Sequence, residues 1–150
     1  MRVVLQRVSE ASVKIDGKVA GTIDRGLLIL VGIENEDGPA DIEWLTNKII
    51  NLRIFADQDG LMNLSVKDID GELLVISQFT LHAKTKKGNR PSYIKAARPE
   101  TAIPIYEQFK TRLENALDKS VASGIFGADM KVSLINDGPV TITIDTKNKE

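Results

Sequence analysis

The chain has 150 residues, a mass of 16.5 kDa, 42% apolar residues and 27% charged residues. This composition is typical of one soluble domain with a buried core, and we expect residues 1–150 to form that domain. The absence of cysteine excludes thiolate chemistry, and a single histidine, His82, excludes a multi-histidine metal site, so we expect no metal and no other cofactor. Charged residues interrupt every apolar run before it is long enough to cross a membrane. We therefore expect the protein to be cytoplasmic and not to associate with a membrane.

The first half of the chain predicts a β-hairpin, a buried strand and a helix. Val3 to Ile15 and Val19 to Ile23 are rich in β-branched residues and flank the turn dipeptide Asp16-Gly17. Leu27 to Val31 is apolar at every position, which indicates a central strand covered on both faces. Apolar residues at helical spacing predict a helix from Pro39 to about Arg53.

The second half predicts three strands and a second helix. Glu72 to Leu81 is an apolar strand with a polar far end, and Pro99 to Gly124 has helical periodicity. Strands at Lys131 to Ile135 and Val140 to Ile144 are separated by a predicted turn at Asn136 to Gly138. Hairpins together with two main helices predict an α+β fold, with a mixed or antiparallel sheet that curls into a barrel-like shape.

Charge is unevenly distributed along the chain. The overall net charge of −1 argues against a dedicated nucleic-acid coat protein, but the segment from Ala83 to Pro99 has six basic residues and no acidic one. A mobile basic segment with an aromatic neighbour, Tyr93, suits contact with a phosphate backbone, although a solvated loop explains the same composition. The six basic residues are Lys84, Lys86, Lys87, Arg90, Lys95 and Arg98.

The segment Ser77-Gln78-Phe79-Thr80-Leu81 is unusual because two hydroxyls and an amide surround a phenylalanine at the end of an apolar strand. These groups are suited to a ligand site, in which Phe79 stacks and Ser77, Gln78 and Thr80 form hydrogen bonds. A strand that leaves the core and exposes its polar residues to water is the simpler interpretation.

Standard cofactor and hydrolase motifs are missing. The chain has no phosphate-binding GxxxxGK[ST] loop, no GxGxxG, no HExxH and no GxSxG. Thr80 with His82 as its base is the remaining pairing for a nucleophile, but residues two apart on a strand lie about 7 Å from each other. We therefore expect His82 to be a solvated histidine at the edge of a loop.

The segment Asn136-Asp137-Gly138-Pro139-Val140-Thr141 places glycine beside proline at the start of a strand. Its residue types are those of a turn. If the Gly138-Pro139 bond were cis, its carbonyls could face a ligand instead of a neighbouring strand.

Four segments together resemble the D-aminoacyl-tRNA deacylase family, from the first residues to the last strand. The two signatures, SQFTL at Ser77 to Leu81 and an Asn-x-Gly-Pro-Val-Thr pattern at Asn136 to Thr141, occur in the order typical of the family. The other two segments are MRVVLQRV at Met1 to Val8 and KGNRPSY at Lys87 to Tyr93.

The resemblance implies a cytoplasmic homodimer that hydrolyses the ester between a D-amino acid and the terminal adenosine of tRNA, and that also removes glycine from mischarged glycyl-tRNA(Ala). Gly138 and Pro139, joined by a cis peptide and braced by Arg7, would enter the partner subunit's pocket and exclude L side chains. Thr80, Gln78 and Phe79 would form the catalytic segment, with a backbone N–H facing the ester carbonyl and Ser77 contacting the substrate.

The same resemblance implies that the ribose 2′-hydroxyl assists catalysis, which agrees with the missing triad. It also makes aminoacyl-tRNA, and not DNA, the expected partner, with Lys84, Lys86, Lys87 and Arg90 as the candidate tRNA contacts. Two other hypotheses remain open. One is a tRNA-binding module without catalytic activity, and the other is an esterase with Thr80 as its nucleophile.

Overall fold

The computed structural model describes residues 1–150 and contains a mixed sheet, a short two-stranded sheet and two α-helices. In chain order the elements are β1 (Arg2–Ile15), β2 (Lys18–Ile23), β3 (Gly26–Gly32), α1 (Pro39–Asn51), β4 (Phe55–Ala56), β5 (Met62–Leu64), β6 (Glu72–Ser77), a 3₁₀ turn (Phe79–His82), α2 (Pro99–Leu117), β7 (Ala122–Ser123) and β8 (Lys131–Asp145).

The long strand β1 organises the sheet because it is paired along both edges. One edge pairs antiparallel with β3 and then with β2, and the other edge pairs antiparallel with β8. Strands β3, β6 and β7 are parallel to one another, so the sheet is mixed. The sheet curls into a nearly closed barrel and is accompanied by two helices, which confirms the predicted α+β fold class. The turn Asp16-Gly17 is also confirmed, since both residues have the positive φ angles that such a turn requires.

Strand β3 lies at the centre of the core, as its apolar sequence predicts. Leu27 and Ile29 face the larger apolar cluster, which both helices cover, whereas Leu28 faces a smaller cluster on the opposite side of the sheet. A strand with paired neighbours and both faces covered must be apolar at every position. Gly26 brings β3 against β6 so closely that a Cβ there would lie 1.9 Å from the carbonyl oxygen of Glu72.

The helices begin at the predicted prolines, but only the first ends where predicted. Helix α1 ends at Asn51, close to the predicted end. Helix α2 ends at Leu117 and not at Gly124, because Asp118 adopts the left-handed conformation (φ 58°) and its N–H donates to the carbonyl of Glu114. Neither helix is both long and apolar enough to cross a membrane.

Two strand predictions are wrong at their ends. Strand β6 stops at Ser77, and the residues predicted to continue it form the 3₁₀ turn. The turn predicted at Asn136 to Gly138 does not divide the last strand, because β8 is one strand that bulges at this point. Asn136 faces Val8 and Thr141 faces Gln6, so the four residues between them stand opposite a single residue of β1.

Candidate active site

The segment after β6 is anchored to the neighbouring strand by backbone hydrogen bonds. The N–H of Gln78 donates to the carbonyl of Val31 at 2.7 Å, which extends the parallel pairing of β3 and β6 past Ser77. The chain then tightens, with the N–H of Leu81 donating to the carbonyl of Gln78 and the N–H of Ala83 to that of Thr80. We call residues 77–82 the catalytic turn after the catalytic role that the sequence predicts for Gln78, Phe79 and Thr80, which lie in it together with Ser77.

Two adjacent backbone donors of the catalytic turn have no acceptor within the chain. The N–H groups of Phe79 and Thr80 donate to no backbone carbonyl and to no side chain. The first N–H groups of any helical turn lack an intrahelical acceptor, so the 3₁₀ geometry leaves these donors available. Such a pair of donors can stabilise negative charge that develops on a carbonyl oxygen.

A pocket of about 250 Å³ opens beside the catalytic turn. Ser77, Gln78 and Phe79 of the predicted site line it, whereas Thr80 is not among its lining residues. The remaining wall could not be predicted, because it consists mostly of small and apolar residues without a motif. These residues are Val31 and Ile76 from the sheet, Ile33 just after β3, Ala97 and Ala102, Phe126, Gly127, Ala128, Asp129 and Met130 from the segment that leads into β8, and Val132 at the start of β8.

Thr80 and His82 do not form a nucleophile–base pair. The side-chain amide of Gln78 donates to Oγ1 of Thr80 at 2.5 Å, and neither ring nitrogen of His82 has a hydrogen-bond partner. The structure therefore gives no support to an esterase with a Thr80 nucleophile activated by His82.

The prediction of a solvated His82 is also wrong, since only 2% of the residue is exposed. The catalytic turn rests directly on Gly32, where a Cβ would lie 2.9 Å from Cδ2 of His82 and 3.0 Å from Cβ of Leu81. His82 is therefore enclosed under the turn, with its Nδ1 3.8 Å from a carboxylate oxygen of Glu34. The burial of His82 therefore depends on residue 32 being a glycine, which has no side chain to occupy this space.

Arg2 holds the far end of the catalytic turn. Its guanidinium donates to the carbonyl of Leu81 at 2.8 Å and forms an ion pair with Asp145 at 2.8 Å. Burial raises the pKa of the Asp145 carboxyl, but hydrogen bonds from the Lys147 N–H and from Arg2 outweigh it, so that its pKa lies below the ordinary value. The carboxylate thus stays ionised and fixes Arg2 against the turn.

The pocket wall is fixed from behind by Tyr106 of helix α2. Its ring packs edge-on against Phe126, a pocket residue, with centroids 5.8 Å apart. Its hydroxyl donates to the carbonyl of Val75 at 3.1 Å, and burial raises the pKa of the phenol to about 12. A neutral, buried tyrosine is therefore a structural support and not an acid or base for chemistry near pH 7.

The basic segment forms an exposed loop next to the pocket. Two hydrogen bonds between the backbones of Lys84 and Ser92 close it, and the N–H of Ala97 ties its end to the carbonyl of Ile33. All six basic residues are exposed, and none lies within 4.0 Å of a carboxylate. The loop, which includes Lys84, Lys86, Lys87 and Arg90, therefore presents uncompensated positive charge.

The second signature forms the bulge of β8, and its tip is exposed. The Gly138-Pro139 peptide is cis, and both residues are exposed. Arg7 holds the base of the bulge, donating to the carbonyl of Asp137 at 2.9 Å and to the carbonyl of Ile54 at 2.6 Å. Asn136 closes it by accepting from the N–H of Val140. None of these residues lines the pocket beside the catalytic turn.

Comparisons with known proteins cover nearly the whole chain. A family model described as D-Tyr-tRNA(Tyr) deacylase matches residues 4–145. A Flavobacterium psychrophilum protein named D-aminoacyl-tRNA deacylase is 69% identical over 150 residues, covering all of both chains. A Bacteroides thetaiotaomicron protein of the same name is 64% identical, again over all of both chains.

Two solved structures share the fold. The first, titled c-Myc DNA Unwinding Element Binding Protein, has a TM-score of 0.91 at 40% identity and covers 97% of this chain and 99% of its own. The second is described as "a probable eukaryotic D-amino acid tRNA deacylase" and has a TM-score of 0.82 at 16% identity, covering 95% of this chain and 97% of its own. At that identity, the second similarity shows the fold alone.

Proposed function

Since the chain belongs to the D-Tyr-tRNA(Tyr) deacylase family, we propose that it cleaves the ester of D-aminoacyl-tRNA to free amino acid and tRNA, and spares the L form. It is an enzyme, a carboxylic ester hydrolase of the D-aminoacyl-tRNA deacylase type. The observation that supports the proposed mechanism best is the pair of backbone donors at Phe79 and Thr80, beside a pocket and a loop of unpaired cations.

The proposed reaction needs geometry more than a reactive side chain. The terminal adenosine and its ester enter the pocket, and the ester carbonyl oxygen accepts from the N–H groups of Phe79 and Thr80. A water molecule adds to the carbonyl carbon, the bond to the ribose oxygen breaks, and that oxygen takes the proton that the water gives up. Removing one donor of this type from an enzyme costs about 3–4 kcal/mol of transition-state stabilisation.

The ribose 2′-hydroxyl next to the ester helps to orient the water, so that part of the catalysis comes from the RNA. This assignment agrees with the contacts of Thr80, whose Oγ1 accepts a hydrogen bond from Gln78 and has no base beside it. Gln78 and Thr80 then hold the turn in position, and Ser77 contacts the substrate from the pocket wall. An aminoacyl ester is already activated, and positioning alone lowers its barrier further.

Main-chain atoms of a second subunit distinguish the D from the L configuration of the aminoacyl group. In the proposed homodimer, Gly138 and Pro139 of one subunit enter the pocket of the other, and Arg7 keeps their bulge rigid. Two observations support this arrangement. The tip of the bulge is exposed and is not part of the lining of its own pocket, and β8 pairs with β1 alone, which leaves the other edge of a long strand free to meet another chain.

Excluding L side chains by steric clash also limits which substrates the enzyme can reject. With the ester, the amino group and the pocket wall fixed, inversion at the α-carbon points the side chain into the inserted backbone. A clash of about 4 kcal/mol excludes the L form by several hundredfold. Glycine has no side chain to exclude, so we expect glycyl-tRNA(Ala) to be cleaved as well.

The basic loop supplies the proposed contacts to the tRNA backbone. Lys84, Lys86, Lys87 and Arg90 are exposed and have no acidic partner, which suits phosphate binding without base recognition. Because the proposed substrate is aminoacyl-tRNA, we expect the reaction to take place in the cytoplasm. One structural relative is titled as a DNA-binding protein, so duplex DNA belongs in the binding experiment as a competitor, and we expect it to compete poorly with tRNA.

The deciding experiment measures amino-acid release from D-tyrosyl-tRNA, L-tyrosyl-tRNA and glycyl-tRNA(Ala). We expect rapid release from the first and the third, and release from the L form at least several hundredfold slower. Equal release from both tyrosyl esters would refute the proposal. Binding of tRNA without any release would favour the module without catalytic activity.

A substitution separates RNA-assisted hydrolysis from a protein nucleophile. Thr80→Val removes the hydroxyl and keeps the shape, and we expect kcat to fall by less than about tenfold, since the reacting oxygen comes from water. Thr111→Val, at an exposed position of α2, is the matched control. Complete loss of turnover in the first variant, with full activity in the second, would make Thr80 the nucleophile.

A further inference from the structure

Phe79 does not stand alone at the mouth of the pocket. Tyr93, from the basic loop, packs against it with ring centroids 5.0 Å apart and ring planes at 76°. Phe79 lines the pocket, whereas Tyr93 lies outside the lining. The two rings are respectively 55% and 38% exposed, so an aromatic surface leads outward from the pocket.

The backbone holds Tyr93 in this place from both sides. Before it, the N–H of Ser92 donates to the carbonyl of Lys84 at 3.0 Å. After it, the carbonyl of Tyr93 accepts from the N–H of Ala96 at 3.0 Å, and Ala96 is bridged to Glu34. Tyr93 is therefore positioned before any ligand arrives, which lowers the entropy cost of stacking against it.

The charged residues of the loop that carries Tyr93 all have one sign. The segment from Ala83 to Pro99 contains no acidic residue, and its six cations are exposed and unpaired. A platform of exposed aromatic rings surrounded by unpaired cations fits single-stranded nucleic acid, whose bases stack on the rings while its phosphates meet the cations. A protein partner is a poorer fit, because six unpaired charges would have to be desolvated or matched.

We propose that Tyr93 stacks the nucleobase that precedes the terminal adenosine in the single-stranded 3′ end of tRNA. This inference rests on the proposed function, in which the terminal adenosine occupies the pocket beside Phe79. The next nucleotide then lies outside the pocket, one ring farther along the aromatic surface. The ring centroids are 5.0 Å apart and the ring planes meet at 76°, so the second base turns away from the first to stack on Tyr93.

The proposal predicts that Tyr93 matters only for substrates longer than one nucleotide. Tyr93→Leu removes the ring, so the KM for D-tyrosyl-tRNA should rise about 5- to 150-fold at unchanged kcat, the range expected for one stacked base. Hydrolysis of 3′-O-D-tyrosyl-adenosine, which has no preceding base, should keep its wild-type KM. Tyr93→Phe should behave as wild type with both substrates, since it keeps the ring.

A matched control and a binding measurement complete the experiment. Ile94→Ala changes the neighbouring side chain, which is 78% exposed and has no ring, and it should leave both KM values unchanged. In fluorescence titrations, Tyr93→Leu should lose affinity for uncharged tRNA with an intact 3′ end and keep it for tRNA shortened by its last two nucleotides. This titration does not depend on hydrolysis, so it tests Tyr93 even if the proposed activity fails.

Three results would overturn the inference. The first is an unchanged KM for D-tyrosyl-tRNA in Tyr93→Leu. The second is an equal rise in KM for the tRNA and the adenosine ester, which would place Tyr93 inside the adenosine site. The third is a lower mass in light scattering for Tyr93→Leu, which would make the ring part of a subunit contact.

Discussion

The catalytic turn and the bulge of β8 are the two signature segments of the chain, and they are held in opposite ways. The turn is supported by its own chain, with Gly32 packed against it, the His82 side chain buried below it and Arg2 at its end. The bulge is fixed only at its base, by Arg7 and Asn136, and its tip is exposed.

This difference suggests which segment completes which site. The turn forms a wall of a pocket in its own chain, whereas Gly138 and Pro139 touch no part of that pocket. An exposed segment that is anchored at its base and does not line its own pocket is well suited to act in another subunit. We therefore expect damage to the turn to slow the reaction, and damage to the bulge to change which substrate reacts.

Gly138→Ala should have the largest effect on selectivity. Gly138 has a φ of 133°, which L residues rarely adopt, and a Cβ there would lie 2.7 Å from a guanidinium nitrogen of Arg7. Either the strained backbone of the bulge or the Arg7 side chain that holds it must shift, so we expect most of the several-hundredfold rejection of L-tyrosyl-tRNA to be lost while D-tyrosyl-tRNA is still cleaved. Unchanged D/L discrimination in a folded variant would contradict the assignment.

Gly32→Ala should slow the reaction without changing D/L discrimination. The new Cβ would lie 2.9 Å from His82 and 3.1 Å from the carbonyl oxygen of Gln78, so it pushes the catalytic turn outward. A displacement of about 1 Å can cost about 100-fold in rate, and we expect that loss in kcat with D/L discrimination retained. Gly38→Ala is the matched control, because nothing lies within 4 Å of its Cβ.

Substitutions of the two arginines of β1 compare the catalytic turn with the bulge in the same way, with smaller expected changes in rate and selectivity. Arg2→Met removes the hydrogen bond to the carbonyl of Leu81 at the end of the catalytic turn, and we expect kcat to fall about tenfold. Arg7→Met removes the hydrogen bond to the carbonyl of Asp137 in the bulge and the one to the carbonyl of Ile54 that anchors Arg7, and we expect D/L discrimination to fall by about tenfold or more. Steady-state kinetics on both tyrosyl esters separate the two outcomes, and an identical kinetic change in both variants would refute the division of labour.

The smallest expected effect concerns pH and the support of Arg2. The pKa of Asp145 is lower in the folded protein than its ordinary value of 3.8, so its ion pair stabilises the fold above about pH 4 and stops doing so as the pH falls through the folded pKa. Urea unfolding should therefore show Asp145→Asn to be less stable than wild type at pH 7, with the difference shrinking below pH 4. A difference that is constant across this range would argue against the ion pair.

Local patterns predicted the fold well where a single element determines its own environment. The uniform apolar sequence of Leu27 to Val31 predicted a strand covered on both faces, and the periodicity after Pro39 predicted α1. Predictions were wrong where an earlier residue ends an element or where strand pairing overrides local residue types. Gly124 and the Asn136 segment look like a helix end and a turn, but Asp118 ends the helix, and pairing with β1 keeps β8 continuous.

The candidate site was predictable only in part, for a similar reason. The polar residues after β6 indicated one wall of the pocket, but residues 126–132 carry no motif or periodicity that points to the opposite wall. The burial of His82 depends on the absence of a side chain at Gly32, fifty residues earlier. Such contacts between distant parts of the chain leave no signal in either segment alone.

The most direct test of the proposed exchange between subunits is a mixed dimer. One chain carries Gly138→Ala, and the other carries Ala128→Trp, which fills the pocket; distinct C-terminal tags allow purification of the mixed species. In that dimer the intact pocket belongs to the chain with the altered bulge and receives the unaltered bulge of the other chain. We predict that it cleaves D-tyrosyl-tRNA at about half the wild-type rate per dimer and rejects L-tyrosyl-tRNA as wild type does. Cleavage of the L form as fast as by the Gly138→Ala chain alone would contradict the account.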